Sequence, residues 1–145
     1  MITDLNTIFR LIVATVLSGM IGFEREMHGR AAGLRTHVLV GVGSTLIMLT
    51  SLHIFDMYIY RVPLDPTRIA ANVIAGIGFL GAGTIIRAGS SIKGLTTAAS
   101  IWTVAAIGLG VGCGYYLGAF FTTVIMLIAL LFFRKIESAV VQRKD

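Results

Sequence analysis

Charged side chains that could do chemistry are concentrated in residues 24–36, which read EREMHGRAAGLRT. The two carboxylates and three guanidiniums of this segment are Glu24, Arg25, Glu26, Arg30 and Arg35. Arginine suits pairing with a carboxylate because its planar fork can donate two parallel hydrogen bonds. We expect the two carboxylates to form salt bridges with Arg35, or with Arg87 and Lys93 of a later basic loop. The segment is typical of either a turn of headgroup-facing charges or an ordered cluster that a partner or an ion recognises.

Other reactive residues are not arranged for catalysis. The sequence offers no Ser/His/Asp set, Cys/His pair or carboxylate pair spaced for acid–base chemistry, so we do not expect an enzyme. His28 and His37 are too isolated to predict a metal site, and the single cysteine, Cys113, excludes an internal disulfide. Residues 76–81 (GIGFLG) match the dinucleotide fingerprint, but the strand and the acidic residue which that motif requires are missing. We therefore expect no cofactor and no resident metal.

The composition predicts that the elements carrying these residues lie in a lipid bilayer. The mean hydropathy is +0.88, 56% of the 145 residues are hydrophobic and 13% are charged, whereas soluble domains contain about 25% charged residues. A net charge of +5 does not predict nucleic-acid binding, because the basic residues stand at the ends of apolar runs, where they set topology and meet anionic headgroups. The expected fold class is an all-α integral membrane bundle.

Five transmembrane helices account for the apolar runs. They are predicted at residues 5–23, 38–55, 69–86, 98–111 and 115–133. The last two divide residues 94–133, a charge-free run of 40 residues that would form a helix of about 60 Å, twice the hydrocarbon thickness. Nine of the 12 lysines and arginines fall on one side of this topology, so the positive-inside rule places the N-terminus outside and the C-terminus in the cytoplasm. Asp65, in the outer loop, is placed to cap the third helix.

Small residues predict close packing on one face of two helices. They are Ala71, Ala75, Gly78 and Ala82 in the third helix and Ala99, Thr103, Ala106 and Gly110 in the fourth. Tight packing within the chain, a homodimer through these seams and a permeation path are the alternatives. Polar side chains that can hydrogen-bond between helices are Asn72, Thr84, Ser100 and Thr103.

Arg10 stands in or at the edge of the first apolar run. A charge at the centre of a bilayer costs at least about 2.5 kcal/mol, so Arg10 is expected to snorkel to the headgroups or to turn inward and pair with a carboxylate such as Asp65. No Asp or Glu lies inside the five predicted helices. Because protein sites for Mg²⁺ usually include one or two carboxylates, the chain alone is expected to be a poor cation carrier, unless an oligomer builds a carbonyl-lined pore.

Several blocks, taken in order, resemble the MgtC/SapB family of membrane proteins along nearly the whole chain. They are residues 22–26 (GFERE), 32–37 (AGLRTH), 68–71 (RIAA), 76–83 (GIGFLGAG), 94–99 (GLTTAA) and Trp102. The resemblance implies a protein of the bacterial inner membrane that is linked to magnesium limitation, virulence and survival inside macrophages. It also implies that the protein acts by binding membrane partners such as the proton-translocating ATP synthase. An oligomeric transporter or channel for Mg²⁺ or another ion is the alternative.

The same resemblance predicts which residues and domains matter. The positions expected to be functional are Glu24, Arg25, Glu26, Arg35, Thr36, Asp65, Arg68, Arg87, Thr96, Thr97 and Trp102. Residues 1–135 are expected to form the transmembrane domain and residues 136–145 a short cytoplasmic tail, without the ACT-like domain that follows in familiar members. We expect the basic loop from Arg87 to Thr97 to meet residues 24–36 at the cytoplasmic face.

Overall fold

The computed structural model describes the backbone of residues 3–141 and the side chains of residues 3–132. Its elements, in chain order, are α1 (Asp4–Met27), α2 (Leu34–Tyr58), α3 (Thr67–Gly83), β1 (Ile86–Ala88), β2 (Ser91–Lys93), α4 (Leu95–Cys113) and α5 (Tyr116–Val141). A helix lies at each of the five predicted positions. Helix α5 continues through residues 136–141 of the predicted tail, and residues 142–145 of that tail lie outside the described part.

Three of these helices, α1, α2 and α4, are long and apolar enough to cross a membrane. Helix α3 and the stretch Tyr116–Phe132 of α5 are shorter apolar helices. Large hydrophobic side chains such as Phe79 and Ile125 are exposed on the outside of the bundle. Such a surface suits lipid better than water, because soluble monomers rarely expose large continuous apolar patches. The protein is a helical bundle with the properties of a membrane protein.

The chain between α3 and α4 forms an antiparallel hairpin that the sequence analysis did not predict. Strands β1 and β2 pair Arg87 with Ile92, and the turn contains Gly89 with a φ of 61°. Gly94 then turns the chain into α4 with a φ of 92°, and a Cβ at this position would overlap the carbonyl oxygen of Thr84. Glycine is therefore required there, because only glycine adopts this backbone conformation without strain and lacks the clashing atom.

The tightest helix crossing joins α2 and α4. A Cβ on Gly108 would overlap the carbonyl oxygen of Gly41 and lie 2.9 Å from the Ser44 Cβ. The Thr45 hydroxyl lies between the two backbones, 2.9 Å from the Gly41 carbonyl oxygen and 2.8 Å from that of Gly108. Helix α1 covers this pair of helices with an apolar face, and Ile21 and other residues of that face pack on α4. The apolar core therefore lies among α1, α4 and α5, beside the close crossing of α2 and α4.

The predicted small-residue seams lie outside this core. In α3, Ala71, Ala75, Gly78 and Ala82 are all exposed, and in α4, Ala99 is exposed while Thr103, Ala106 and Gly110 are partly buried. The buried residues of α3 are Val73 and Gly81 instead. Spacing alone identified a narrow face on each helix, but the side chains on the opposite face decide which side turns inward. That these exposed small-residue faces join two copies of the chain remains a prediction.

Arg10 turns inward, but its predicted pairing with Asp65 is wrong. Its Nη1 donates to the Gly112 carbonyl oxygen at 2.6 Å, and its Nε donates to the Asn6 side chain at 2.8 Å. Gly112 lies in the last turn of α4, where backbone carbonyls lack partners in their own helix and the helix dipole favours a cation. Asp65 instead accepts hydrogen bonds from the backbone N–H of Thr67, the first residue of α3, and from its hydroxyl. The predicted capping by Asp65 is confirmed for this N–H, although the N-cap residue itself is Pro66, which makes no side-chain cap hydrogen bond.

Candidate functional site

Buried polar side chains gather at the end of the bundle where α1 ends and where α2 and α4 begin. We call this group the buried polar cluster; its members are the buried Glu24, Arg25, His37, Thr97 and Ser100, together with the partly buried His28. The chain folds this way because α1 continues four residues past Phe23, to Met27, and carries all three charged residues of the GFERE block into helix. The segment predicted as a charged loop is therefore helical at both ends, and the connection between α1 and α2 spans only residues 28–33.

The charged part of the cluster lies on the last two turns of α1. Glu24 is 7% exposed and Arg25 is 4% exposed. One oxygen of the Glu24 carboxylate lies 3.0 Å from His28 Nδ1, and the other lies 3.7 Å from Arg25 Nη1. A buried charge requires a nearby group of opposite charge or a hydrogen-bond partner, because removing one partner of a buried ion pair costs about 3 to 5 kcal/mol. Glu24 therefore pairs within its own helix, and its predicted bridges to Arg35, Arg87 or Lys93 are wrong.

Arg25 also connects α1 to α4. Its Nη2 donates to the Thr97 hydroxyl at 3.5 Å, and Thr97 is buried in the first turn of α4. A basic side chain in the last turn of α1 also complements the dipole of that helix. The predicted contact between the two loop regions is thus confirmed at Thr97. Arg87 lies in the exposed hairpin, where its Nε donates to the Gly89 carbonyl oxygen at 3.4 Å.

A second connection joins α2 to α4 through a fully buried histidine. His37 Nδ1 lies 2.8 Å from the Gly33 carbonyl oxygen, and Nε2 lies 2.9 Å from the Ser100 hydroxyl. A carbonyl oxygen can only accept, so Nδ1 carries a proton. Ser100 also lies within 2.8 Å of the Thr97 carbonyl oxygen. The hydroxyl has a single hydrogen, so it donates either to that carbonyl or to Nε2.

Glu26 has a structural task at the edge of the cluster. Its Oε2 accepts a hydrogen bond from the Leu34 backbone N–H at 2.9 Å. The first N–H groups of a helix lack intrahelical partners, and a carboxylate is the favoured acceptor for them. A Cβ on Gly33 would overlap the same carboxylate, so the glycine leaves room for the cap. Within the described residues Glu26 forms no salt bridge with Arg35, Arg87 or Lys93, which corrects that prediction.

The remaining predicted site residues lie on the surface. Around the cluster, the exposed side chains form what we call the basic rim, consisting of Arg30, Arg35, Arg87 and Lys93, with Thr36 and Thr96 beside them. Trp102, further along α4, is 47% exposed. Asp65 and Arg68 are exposed at the start of α3, near the end of α2 and far along the chain from the cluster. The structure therefore brings together Glu24, Arg25 and Thr97, and separates the other predicted residues from them.

Two contributors to the cluster, His37 and Gly22, were not predicted to take part in it. His37 was considered too isolated for a metal site, whereas the predicted hydrogen bond of Ser100 to another helix is confirmed by its contact with His37. Gly22 allows α1 to approach α2, because a Cβ there would lie 2.8 Å from the Leu34 Cα and 3.0 Å from the His37 Cβ. The sequence spacing could have indicated that Ser100 belongs to the cluster, since Ser100 follows Thr97 by three residues and the two share one face of α4. Within the described residues, no group of three or more His, Cys, Asp and Glu side chains could hold a metal ion.

A bundle of apolar helices in which a buried polar cluster joins three helix ends defines a small helical membrane protein. The chain belongs to the MgtC family, whose family model matches residues 11–139. It is 48% identical over 131 residues to the protein named "Putative magnesium transporter YhiD" of Escherichia coli, covering 89% of this chain and 61% of that relative.

Two further relatives extend the comparison. Protein SapB of Bacillus subtilis is 38% identical over 150 residues, covering 98% of this chain and 64% of SapB. Protein MgtC of Salmonella typhimurium is 41% identical over 128 residues, covering 88% of this chain and 52% of MgtC. The chain thus spans between about half and two thirds of the length of these relatives. No solved structure matches it.

Proposed function

We propose that this chain is a regulatory membrane module that acts by binding other membrane proteins when magnesium is limiting, rather than an enzyme. The proposal places it in the bacterial inner membrane with five spans, the N-terminus outside and the C-terminus in the cytoplasm. Virulence and intracellular survival are the setting that the family suggests. The observation that carries the proposal is the buried polar cluster, because it holds three helix ends together beneath an exposed basic rim.

The cluster suits a structural support better than a conduction path. Glu24 and Arg25 are almost fully buried, and their charged groups meet His28 and Thr97 of the same chain. A group that an ion passes must exchange partners with water and with the ion, which the burial of both charged side chains beside partners of the same chain opposes. The sequence also has no carboxylate along the middle of any predicted span. Both observations favour a rigid platform over a carrier.

The basic rim has the properties of a recognition surface. Arg30, Arg35, Arg87 and Lys93 are exposed. Within the described residues, Arg35 forms no ion pair, so its guanidinium is available to a partner. Exposed charges of one sign speed the encounter with an oppositely charged surface and select against wrong partners. We propose that the partner presents acidic residues to this rim, and a subunit of the proton-translocating ATP synthase is the first candidate to test.

Ion transport is the second candidate, and the similarity to YhiD supports it. That relative's name describes a putative magnesium transporter, and its identity to this chain is 48%. In this alternative, several copies would associate and line a pore with backbone carbonyls. The exposed small residues of α3 offer a face on which helices could approach closely.

Arg35→Ala tests the binding proposal with little risk to the fold, since Arg35 is exposed and forms no ion pair within the described residues. Membranes containing the full chain are crosslinked, and recovery of ATP synthase subunits is measured by mass spectrometry. Arg61→Ala is the matched control, because Arg61 is equally an exposed arginine but lies after α2, outside the basic rim. We expect Arg35→Ala to lower recovery and Arg61→Ala to leave it unchanged. Equal recovery from both variants would refute the role of the rim.

Reconstitution separates the two candidates. The purified chain is placed in liposomes that contain a Mg²⁺-sensitive dye, and a Mg²⁺ gradient is applied. Binding without transport predicts the same dye signal as in empty liposomes. A flux above that background would overturn the binding proposal in favour of the transporter.

A further inference from the structure

An open groove lies between α2 and α3. It has a volume of about 530 Å³ and an almost entirely apolar lining, with Gly43 and Ile47 on α2 and Gly76 and Leu80 on α3. Neither glycine has any atom within 4 Å of the position that a Cβ would take. The groove is therefore wide enough for a slender apolar chain lying along the two helices.

A smaller polar cavity continues this groove at the start of α3. It has a volume of about 310 Å³ and is lined by the end of α2, by the loop before α3 and by the first residues of α3. Ile69 lines both spaces, so the two are adjacent. The charged residues that line the smaller cavity are Asp65 and Arg68. An apolar groove thus leads to a cavity that is lined by one positively charged and one negatively charged side chain.

The polar and apolar groups follow one ridge of α3 in a definite order. Arg68, Asn72, Gly76 and Leu80 are spaced at i, i+4, i+8 and i+12, and they line these two spaces. Each step corresponds to a rise of about 6 Å along the helix. The Asn72 amide forms no hydrogen bond with any described residue, although it lies beside an apolar groove. This order matches the groups of a phospholipid. The cationic side chain would meet the phosphate, the neutral amide would meet an ester, and the apolar groove would hold an acyl chain.

Asp65 adds selectivity for the headgroup. The two hydrogen bonds from Thr67 engage a single oxygen, Oδ1, and the second oxygen has no hydrogen-bond partner in the described part of the chain. The hydrogen bonds from the Thr67 side chain and backbone hold the pKa of Asp65 below its ordinary value, so the carboxylate is ionised at neutral pH. An ionised carboxylate beside Arg68 disfavours a purely anionic headgroup and suits one that also carries an ammonium.

We propose that this groove and cavity bind one phosphatidylethanolamine molecule. One of its two acyl chains lies between α2 and α3, the ester of that chain faces Asn72, its phosphate meets Arg68, and its primary ammonium donates to Asp65. This lipid site is independent of the partner-binding proposal, because no residue of the basic rim lines the groove or the smaller cavity.

Native mass spectrometry of the purified full chain tests the proposal. The protein is mixed with phosphatidylethanolamine, phosphatidylglycerol or phosphatidylcholine, all with the same acyl chains, and the retained lipid is measured. We expect phosphatidylethanolamine to be retained best. Arg68→Gln should weaken retention of every lipid, by up to about fivefold for an exposed charge contact. Arg61→Gln is the control, since Arg61 is exposed in the loop before α3 but lines neither space, and it should leave retention unchanged.

Two further variants separate the headgroup from the acyl chain. Asp65→Asn keeps an oxygen for the Thr67 N–H and should abolish the preference for phosphatidylethanolamine without lowering retention of the other two lipids. Gly76→Leu places a side chain in the groove and should lower retention of all three. Equal retention of the three lipids by the unaltered chain, or an unchanged preference in Asp65→Asn, would overturn the proposal. So would a Gly76→Leu variant that loses self-association but keeps its lipid, because the groove would then hold a second copy. Circular dichroism confirms folding, and if Gly76→Leu is unstable, Asp65→Asn decides.

Discussion

Replacing Gly108 with alanine should destabilise the bundle, although alanine is the better helix former. The new Cβ would overlap the carbonyl oxygen of Gly41 and approach the Ser44 Cβ to 2.9 Å. The first of these neighbours is backbone, so relief requires α2 and α4 to move apart. Such a movement would also stretch the hydrogen bond of 2.8 Å between Thr45 and the Gly108 carbonyl oxygen. Gly43→Ala is the matched control, because a Cβ on Gly43 would meet nothing within 4 Å.

The expected magnitude follows from two opposing terms. Overpacking a close contact costs about 1 to 3 kcal/mol, and replacing glycine by alanine in a helix returns up to about 1 kcal/mol. Gly108→Ala should therefore lower the free energy of unfolding by up to about 2 kcal/mol once the full gain in helix propensity is subtracted. Gly43→Ala should leave the free energy of unfolding unchanged or raise it by up to about 1 kcal/mol, because it gains helix propensity without a clash.

Unfolding in mixed micelles of a mild detergent and sodium dodecyl sulfate, followed by circular dichroism, measures both values. The sign of the difference between the two variants is the informative quantity, because helix propensity contributes equally to each. If Gly108→Ala proved as stable as Gly43→Ala, the close crossing of α2 and α4 would be refuted as the centre of the fold.

Two other predictions concern charged groups away from the buried polar cluster. Arg10→Met should lower the free energy of unfolding by about 1 to 2 kcal/mol, because the Gly112 carbonyl oxygen loses a charged donor at the end of α4. The same micelle assay measures this change. Arg10→Lys should restore part of the lost free energy of unfolding. For Asp65, the folded pKa is lowered by the hydrogen bonds from Thr67, so its contribution to stability is complete above the unfolded pKa of about 3.9 and is lost as the pH falls through the folded pKa. The melting temperature should fall on acidification over that range, and a slope unchanged in Asp65→Asn would contradict this assignment.

Helix positions could be predicted from the sequence because they depend on local properties. Apolar runs bounded by charges or by glycine define where a chain can form a helix in lipid, and a helix lies at each predicted position. The turn within the long charge-free run was predictable for the same reason. Gly114 adopts a φ of 88° there, between the end of α4 at Cys113 and the start of α5 at Tyr116. The cap by Asp65 likewise depends only on a residue two positions away.

Partners at long range could not be predicted in the same way. Glu26 was expected to meet an arginine, but its carboxylate instead accepts a hydrogen bond from the Leu34 backbone N–H at the start of α2. His37 and Ser100 are 63 positions apart in the chain, and they meet only because α2 and α4 cross closely. Small residues occur on several faces of α3 and α4, so their spacing did not identify which face packs. Which face packs is decided by the bulky side chains beside the small residues and by where the neighbouring helices lie.

The sequence by itself determined the class of protein, the number and positions of the helices and the concentration of charge at their ends. These follow from hydropathy and from residue-level propensities, which act over a few turns of chain. The tertiary structure decided that Glu24 and Arg25 are buried, that Arg10 caps α4, and that an open groove ends beside Asp65 and Arg68. Such features depend on which helices touch and at what angle, and that is set by the sum of many packing contacts between residues far apart in the chain.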